Sequence, residues 1–149
     1  MDIDQEALEH GQRLRPNERF VTPDALKAMQ LQFDLIILSH VLEHVDSCED
    51  VLGLLEPLLA PNGKLIIIVP QERIRGDVAP HHFIFYSAKH RRFVNPHVRI
   101  IRRKALQNML KKYGLKIDEH VYINFLPPLV SRAYFWPYAF SPIAVCSRA

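Results

Sequence analysis

The chain is short of glycine, cysteine and long apolar runs. It has five glycines in 149 residues, and no two are spaced as the G-x-G of a nucleotide-binding loop. Its two cysteines, Cys48 and Cys146, form neither a metal-binding nor a redox motif, which favours reduced thiols in a cytoplasmic protein. No apolar run reaches the roughly 18 residues of a membrane span, and no basic residue directly follows Met1, so neither a spanning helix nor a signal peptide is predicted.

Charge is distributed unevenly along the chain. The net charge is +3, but residues 1–70 hold 5 Lys/Arg against 12 Asp/Glu, whereas residues 71–149 hold 14 against 4. The length and the hydrophobic fraction of 48% suit one globular domain. The basic second half predicts an acidic partner, or a neighbouring segment that balances its charge.

One stretch is the natural centre of the fold. Asp34 is followed by an unbroken apolar run, which predicts a strand over residues 33–39 that is buried on both faces. Polar residues return abruptly at Ser39 and His40. Because ligands of open α/β sheets bind outside the carboxyl ends of the strands, these two side chains stand where chemistry is expected.

A helix and a second strand follow closely. Ser47 is suited to cap a helix over 48–59, and Pro57 should kink that helix or end it early. After a turn at 61–63, residues 64–69 predict a second fully buried strand. Strand, helix and strand in succession are typical of a parallel βαβ unit with a right-handed crossover.

The other elements follow from caps, breakers and periodicity. Two long segments without regular periodicity, 71–98 and 123–141, are predicted to be loop or lid insertions. Gly114 is suited to end an amphipathic helix. The remaining predictions are a helix over 4–14 capped by Asp4, a short strand over 19–22, a brief helix over 25–29, a helix over 102–113, and strands over 115–122 and 142–147.

The central stretch, FDLIILSHVLEHV at 33–45, resembles the fourth-strand motif of class I S-adenosylmethionine-dependent methyltransferases. The closest resemblance is to the small-molecule and lipid methyltransferases with Leu-Glu-His after that strand. Residues 1–4, 23–25 and 58–70 resemble, in chain order, the family's second-strand end, its adenine turn and its passage into the fifth strand. The resemblance implies one domain over 1–149 with an incomplete Rossmann-like α/β sheet, mostly parallel with an antiparallel C-terminal strand.

The family's glycine-rich loop, which holds the methionine end of the cofactor, has no counterpart in this sequence. A strand, a loop and a helix are therefore expected to precede Met1, so that the chain is truncated at its N-terminus. The strand over 33–39 would then lack a neighbour, which predicts a homodimer through that edge or pairing with the missing segment. Residues 1–22 are expected to be loosely attached. The core sheet is expected to comprise residues 33–39, 64–69, 115–122 and 142–148.

The resemblance implies S-adenosyl-L-methionine as the cofactor. It implies that Asp2 binds the ribose, that Asp24 and Ala25 meet the adenine, and that Ser39 and His40 lie beside cofactor and substrate. A carboxylate can accept hydrogen bonds from two ribose hydroxyls or from an adenine amino group, which suits both acids. The alternative is that Asp2 and Asp24 only cap helices.

Two histidines are the candidates for a catalytic base. His40 and His44 stand on either side of Glu43, and imidazole titrates near neutral pH. The residues also match H-x-x-E-H, a zinc-binding pattern of some metallopeptidases, but that pattern belongs inside a long helix and here it follows a strand directly. The alternative is that Glu43 and His44 only orient the turn. No metal site is predicted.

Residues 73–104 concentrate basic and aromatic side chains. They hold nine Lys/Arg, four histidines and a single acid, Asp77. The candidates for binding a phosphate or carboxylate on a small-molecule substrate are Arg75, His82, Arg91 and Arg92. A solvated loop is the alternative, and nucleic acid is disfavoured because no nucleic-acid-binding module is recognisable. The segment is expected to lie at the carboxyl end of the sheet.

The predicted function is methyl transfer to an unidentified small molecule, anionic or lipid-like, with weak cofactor binding by this chain alone. The alternative is a non-catalytic methyltransferase relic that binds an acidic partner or a membrane surface. The aromatic, proline-rich residues 123–141 would make the peripheral membrane contact if they were exposed.

Overall fold

The computed structural model describes residues 4–70, 85–87, 92–94, 101–124, 129–132 and 139–149. The helices of this part of the chain are α1 (Gln5–Leu14), α2 (Pro23–Ala28), α3 (Cys48–Leu55) and α4 (Arg103–Lys112). The strands are β1 (Phe33–Ser39), β2 (Leu59–Ile68), β3 (Phe85–Ser87), β4 (Arg92–Val94), β5 (Leu115–Asn124), β6 (Leu129–Ser131) and β7 (Ala139–Arg148). A 3₁₀ turn, Glu56–Leu58, joins α3 to β2.

Five of these strands form one mixed sheet in the order β1-β2-β7-β5-β6. β1 and β2 are parallel, while β2 and β5 each pair antiparallel with β7. Strands β1, β2 and β5 therefore run in the same direction, with β7 inserted against them. This confirms the predicted α/β sheet, mostly parallel with an antiparallel C-terminal strand. The four predicted core strands are all present, and β6 adds a short antiparallel edge.

Local sequence signals set most element boundaries where they were predicted. Asp4 caps α1 by accepting a hydrogen bond from the Glu6 N–H at 2.8 Å. Ser47 caps α3 through the Asp50 N–H at 3.1 Å, and Pro57 lies in the 3₁₀ turn that ends this helix early. Gly114 follows α4 in the left-handed region, at φ 63°, which glycine adopts without a steric penalty.

Two boundary predictions were wrong. Residues 19–22 form no strand, because Thr22 instead caps α2 by accepting from the Ala25 N–H at 3.2 Å. The turn predicted at 61–63 lies within β2, where the register with β1 shifts. Gly63 permits this irregularity, since a Cβ there would come within 2.8 Å of the Phe33 carbonyl oxygen.

The core lies on one face of the sheet, called here the covered face. The register places Leu38, Leu65, Ile67, Ala144 and Cys146 on this face, and all five are buried. They pack in one cluster with the apolar sides of the two helices that follow β1 and precede β5, through Leu52, Leu55, Leu106 and Leu110. Helices α3 and α4 thus form the layer that this face requires.

The opposite face, called here the open face, carries Leu35, Ile37, Ile66, Ile143 and Val145. Leu35 remains 51% exposed and Ile37 remains 59% exposed. The expectation that β1 is buried on both faces was therefore wrong, because no helix in the described part of the chain covers these side chains. Among the described strands β1 also pairs only with β2, and none of them lies along its other edge.

Helix α1 contributes little to this core. Its one buried side chain, Leu8, lies outside the main hydrophobic cluster. The loose attachment of residues 1–22 stays a prediction. No helix among the described residues is long and apolar enough to cross a membrane.

Candidate functional site

The site is built on the turn that leaves β1. His40 follows the strand in a left-handed conformation at φ 52°, which is unusual for a residue with a Cβ. Its backbone N–H donates to the Ile68 carbonyl oxygen at 2.9 Å. That hydrogen bond continues the β1–β2 pairing by one residue and holds His40 at the carboxyl ends of both strands, the edge predicted for ligand binding.

The turn itself is compact. The His44 N–H donates to the Val41 carbonyl at 3.0 Å, and the Cys48 thiol donates to the Leu42 carbonyl at 3.4 Å. Leu42 is fully buried and packs in the main core cluster. An apolar anchor and two hydrogen bonds therefore fix the backbone that presents Ser39, His40 and His44, whose side chains are exposed.

Glu43 is buried between the two histidines. It is 1% exposed, the lowest value for any charged side chain in the described part of the chain. Its Oε1 lies 3.2 Å from His40 Nδ1 and 3.9 Å from His44 Nε2. The shorter distance is a hydrogen bond and the longer one is an electrostatic contact. Its Oε2 has no hydrogen-bond partner among the described residues.

The adenine-turn candidates lie on another element. Asp24 and Ala25 are in the first turn of α2, and both are exposed. Thr22 rather than Asp24 caps this helix, so the capping alternative for Asp24 was wrong. Asp24 is thus an exposed carboxylate beside a helix N-terminus. Asp2 lies outside the described residues.

The substrate-loop candidates fall mostly beyond the described ranges. Arg75, His82 and Arg91 lie outside the described residues, and Arg92 lies in β4, whose side chains are not described. The described chain on either side of the segment does reach the carboxyl edge of the sheet. β2 ends there at Ile68, and α4 starts there because it runs back to the amino end of β5.

The start of α4 acts electrostatically on β5. Burial, and secondarily the positive charge of Arg103, lower the pKa of His120. His120 is opposite Ala144, in the row of the sheet that also contains Ile67 and Leu38. Arg103, at the end of the segment, is therefore close enough to His120 for its charge to act on that imidazole.

The zinc alternative gains no support. H-x-x-E-H occupies a strand end and a turn rather than a long helix. No three His, Cys, Asp or Glu residues in the described ranges are grouped so that they could hold a metal ion. Neither cysteine is activated as a nucleophile: both are free and buried, and burial raises the pKa of the Cys146 thiol to about 12.

A cavity of about 650 Å³ lies away from this turn. It is lined by residues that precede β1, including Lys27 and Gln32, and by Glu49, Leu54 and Tyr113 of the helical layer. Leu31 and Gln32 of this lining directly precede the amino end of β1, and neither His40 nor Glu43 lines the cavity. The cavity is therefore not the site that the sequence predicts.

The family model named methyltransferase domain matches residues 1–120. The chain belongs to this family. This agrees with the methyltransferase domain that the sequence predicts. A comparison with curated proteins found no significant match.

Solved structures support the same fold. A TehB-like S-adenosylmethionine-dependent methyltransferase from Corynebacterium glutamicum is 15% identical over 99% of this chain and 66% of its own, with a TM-score of 0.61. A structure from Sulfolobus solfataricus assigned to the type 11 methyltransferases is 15% identical over 99% of this chain and 68% of its own, with a TM-score of 0.63. The methyltransferase domain described here thus spans about two thirds of the length of either protein.

Ser39 and His40 are the residues predicted to lie beside the cofactor, and their positions can be compared with that prediction. Ser39 and His40 offer exposed polar groups at the carboxyl ends of two parallel strands. The methionine side is different, because the four described glycines lie in α1, in α3, in the irregular part of β2 and after α4. None of these positions is a loop that follows the carboxyl end of a strand. The described residues therefore supply no glycine-rich cradle for the methionine end.

Sequence reasoning missed the strongest feature of this methyltransferase site. It treated Glu43 as a residue that only orients the turn, whereas the carboxylate is buried and contacts both candidate bases. The signal available in the sequence was the spacing His40-x-x-Glu43-His44 itself. Spacing could not show that the turn would bury the middle residue and leave both histidines exposed.

Proposed function

We propose that this domain transfers a methyl group from S-adenosylmethionine to a small molecule that carries a phosphate or carboxylate, or is lipid-like. The observation that carries the proposal is the turn at the carboxyl ends of β1 and β2. There a strained, exposed His40 is held by a backbone hydrogen bond to Ile68 and contacts the buried Glu43. Such a group suits removal of a proton from a methyl acceptor.

The residues have separate proposed roles. The cofactor, when bound, supplies an electrophilic methyl group on a sulfonium. Ser39 and His40 would contact its middle portion, Asp24 and Ala25 its adenine, and Asp2 its ribose. His40 would accept the proton of the methyl acceptor, with His44 as the second candidate base. The rest of the rate enhancement would come from alignment of the two reactants.

The basic segment is the proposed substrate-binding element. Its candidate residues are Arg75, His82, Arg91 and Arg92. Support comes from the described chain at its two ends, which reaches the edge of the sheet that carries His40. Arginine forms paired hydrogen bonds with carboxylate and phosphate, so it suits an anionic substrate.

Calorimetry with S-adenosylmethionine tests the cofactor side. We expect weak or absent binding by the 149-residue chain, because the described residues offer no cradle for the methionine end. A characterised S-adenosylmethionine-dependent methyltransferase, measured under the same conditions, is the positive control. Micromolar, stoichiometric binding by the 149-residue chain would overturn the expectation.

A turnover assay tests the reaction itself. The chain would be given S-adenosylmethionine in large excess and a panel of small acids, phosphate esters and lipids, with release of the demethylated cofactor as the readout. Turnover that falls with His40→Gln and that requires an acidic substrate supports the proposal. Turnover with neutral substrates alone would contradict the anionic substrate class.

A non-catalytic binding role is the second candidate, and a charge distribution favours it. Helix α4 presents an exposed basic surface, formed by Arg103, Lys104, Lys111 and Lys112. Residues 71–149 as a whole hold 14 Lys/Arg against 4 Asp/Glu. Salt-sensitive retention on anionic vesicles or heparin, together with no turnover in the assay above, would favour this role. Peripheral membrane contact by residues 123–141 belongs to the same test.

A further inference from the structure

The buried carboxylate of Glu43 needs an explanation beyond turn geometry. A carboxylate removed from water is costly unless hydrogen bonds compensate for the lost hydration. The contacts around its Oε1 are His40 Nδ1 at 3.2 Å and His44 Nε2 at 3.9 Å, while Oε2 has no partner among the described residues. A fold that needed only a tight turn would gain stability from an apolar side chain at this position.

One tautomer of His40 suits the shorter contact. When Nδ1 carries the hydrogen that it donates to Glu43, the neutral imidazole has no hydrogen on Nε2. Nε2 is then a lone-pair acceptor. The ring of His40 is 43% exposed, so a ligand at the carboxyl edge of the sheet can reach it. His44 differs, because its 3.9 Å contact with Glu43 is too long for a hydrogen bond.

We infer that Glu43 is a positioning residue: its carboxylate holds His40 in the Nδ1–H tautomer, so that Nε2 is the base for the methyl acceptor. This inference rests on the proposed function. The acceptor's electron pair forms the bond to the methyl carbon, and the pair of the broken carbon–sulfur bond stays on sulfur. The proton of the acceptor passes to His40 Nε2, and Oε1 of Glu43 then faces an imidazolium whose Nδ1–H it already holds.

Nitrogen NMR of the histidine rings tests this without substrate or cofactor. The whole chain, labelled with ¹⁵N-histidine, would be measured at a pH where its imidazoles are neutral, and His40→Gln would assign the signals. In the unmodified protein the Nδ1–H tautomer of His40 should exceed the other by about tenfold or more, as expected for a hydrogen bond to a charged group. Dominance of the Nε2–H tautomer would overturn the inference.

Three variants separate positioning from a merely structural role. Glu43→Met keeps the length of the side chain but removes the acceptor, so the tautomer preference should collapse. Glu43→Gln keeps one carbonyl acceptor and should restore part of the preference. The control Asp46→Asn removes an exposed acid from the same turn and should leave it unchanged. An unchanged tautomer ratio in E43M would overturn the inference.

Two safeguards keep the test decisive. If E43M fails to fold, the tautomer of His40 in the unmodified protein and in E43Q is sufficient to test the inference. The tautomer is also independent of cofactor binding, so failure here removes the role of Glu43 and leaves methyl transfer to be judged by the turnover assay.

Discussion

The two faces of the same sheet differ in their exposure to solvent. On the covered face Leu38 is 4% exposed beneath α3 and α4, whereas on the open face of the same strand Leu35 is 51% exposed and Ile37 is 59% exposed. All three belong to one apolar run, so composition does not distinguish them. The difference teaches that the described helices provide one covering layer, while a strand with apolar residues on both faces requires two.

A matched pair of substitutions in β1 should give the largest effect. Leu38→Ala should lower the free energy of unfolding by about 2–5 kcal/mol, because it leaves a cavity in the packed core. Leu35→Ala removes the same atoms from the open face and should cost less than about 1 kcal/mol, since half of that side chain is already in water. Urea unfolding of both variants measures the difference. Equal losses would show that something in solution covers the open face as fully as the helices cover the other.

Self-association should show the next largest effect. An open β1 edge beside exposed Leu35 and Ile37 predicts that the isolated chain dimerises or needs another polypeptide. Ile37→Lys should raise the dissociation constant of the dimer by roughly tenfold or more, because it places a charge where apolar surface would be buried. Light scattering over a concentration series measures this constant.

The control for that experiment adds the same charge elsewhere. Gln107→Lys changes an exposed position on α4, on the other side of the sheet, and should leave association unchanged. A chain that stays monomeric at all concentrations would remove the homodimer prediction. Pairing with a different polypeptide would then be the remaining way to complete this edge.

The smallest effect on stability is expected from the hydrogen bonds that Asp118 accepts on the open face. Lys64 Nζ donates to Asp118 at 2.6 Å, and the Ser147 hydroxyl donates to the same carboxylate at 2.9 Å. These hydrogen bonds, with Lys64 first, lower the pKa of Asp118. A carboxylate with a lowered folded-state pKa stabilises the fold at pH values above its unfolded value, about 3.9, and that stabilisation is lost as the pH falls through the folded value.

Asp118→Asn should therefore destabilise the chain slightly at neutral pH and flatten the loss of stability in acid. Thermal unfolding between pH 7 and about pH 2 measures both changes. The control is Asp34→Asn, which removes an exposed carboxylate from β1. If stability falls equally steeply with pH in D118N and in the unmodified protein, the hydrogen bonds of Asp118 are too exposed to contribute to stability.

Much of the fold could be predicted because its determinants are local. The run from Leu35 defines β1, the Ser47 hydroxyl starts α3, Pro57 ends it and Gly114 closes α4. Each of these depends on a side chain and its own neighbouring backbone, which a sequence displays directly. That the four core strands belong to one sheet followed from the family resemblance rather than from these signals.

The predictions that failed depend on partners distant in the chain. Residues 19–22 have strand-like composition, but none of the described strands pairs with them. β2 starts five residues before the predicted position because its irregular start lies against β1. The burial of β1 was misjudged for the same reason. An apolar run shows that a strand could be buried on both faces, but only the presence of a second layer buries it.

By itself, the sequence determined the central strand, the helix caps, the charge asymmetry and the family, because each is written in residue type and spacing. The tertiary structure decided which face of the sheet is covered, and it brought the buried carboxylate of Glu43 within 3.2 Å of His40. Burial and hydrogen-bond distance depend on how separate elements pack, and on a left-handed residue held by the neighbouring strand. Spacing in a sequence cannot supply either quantity.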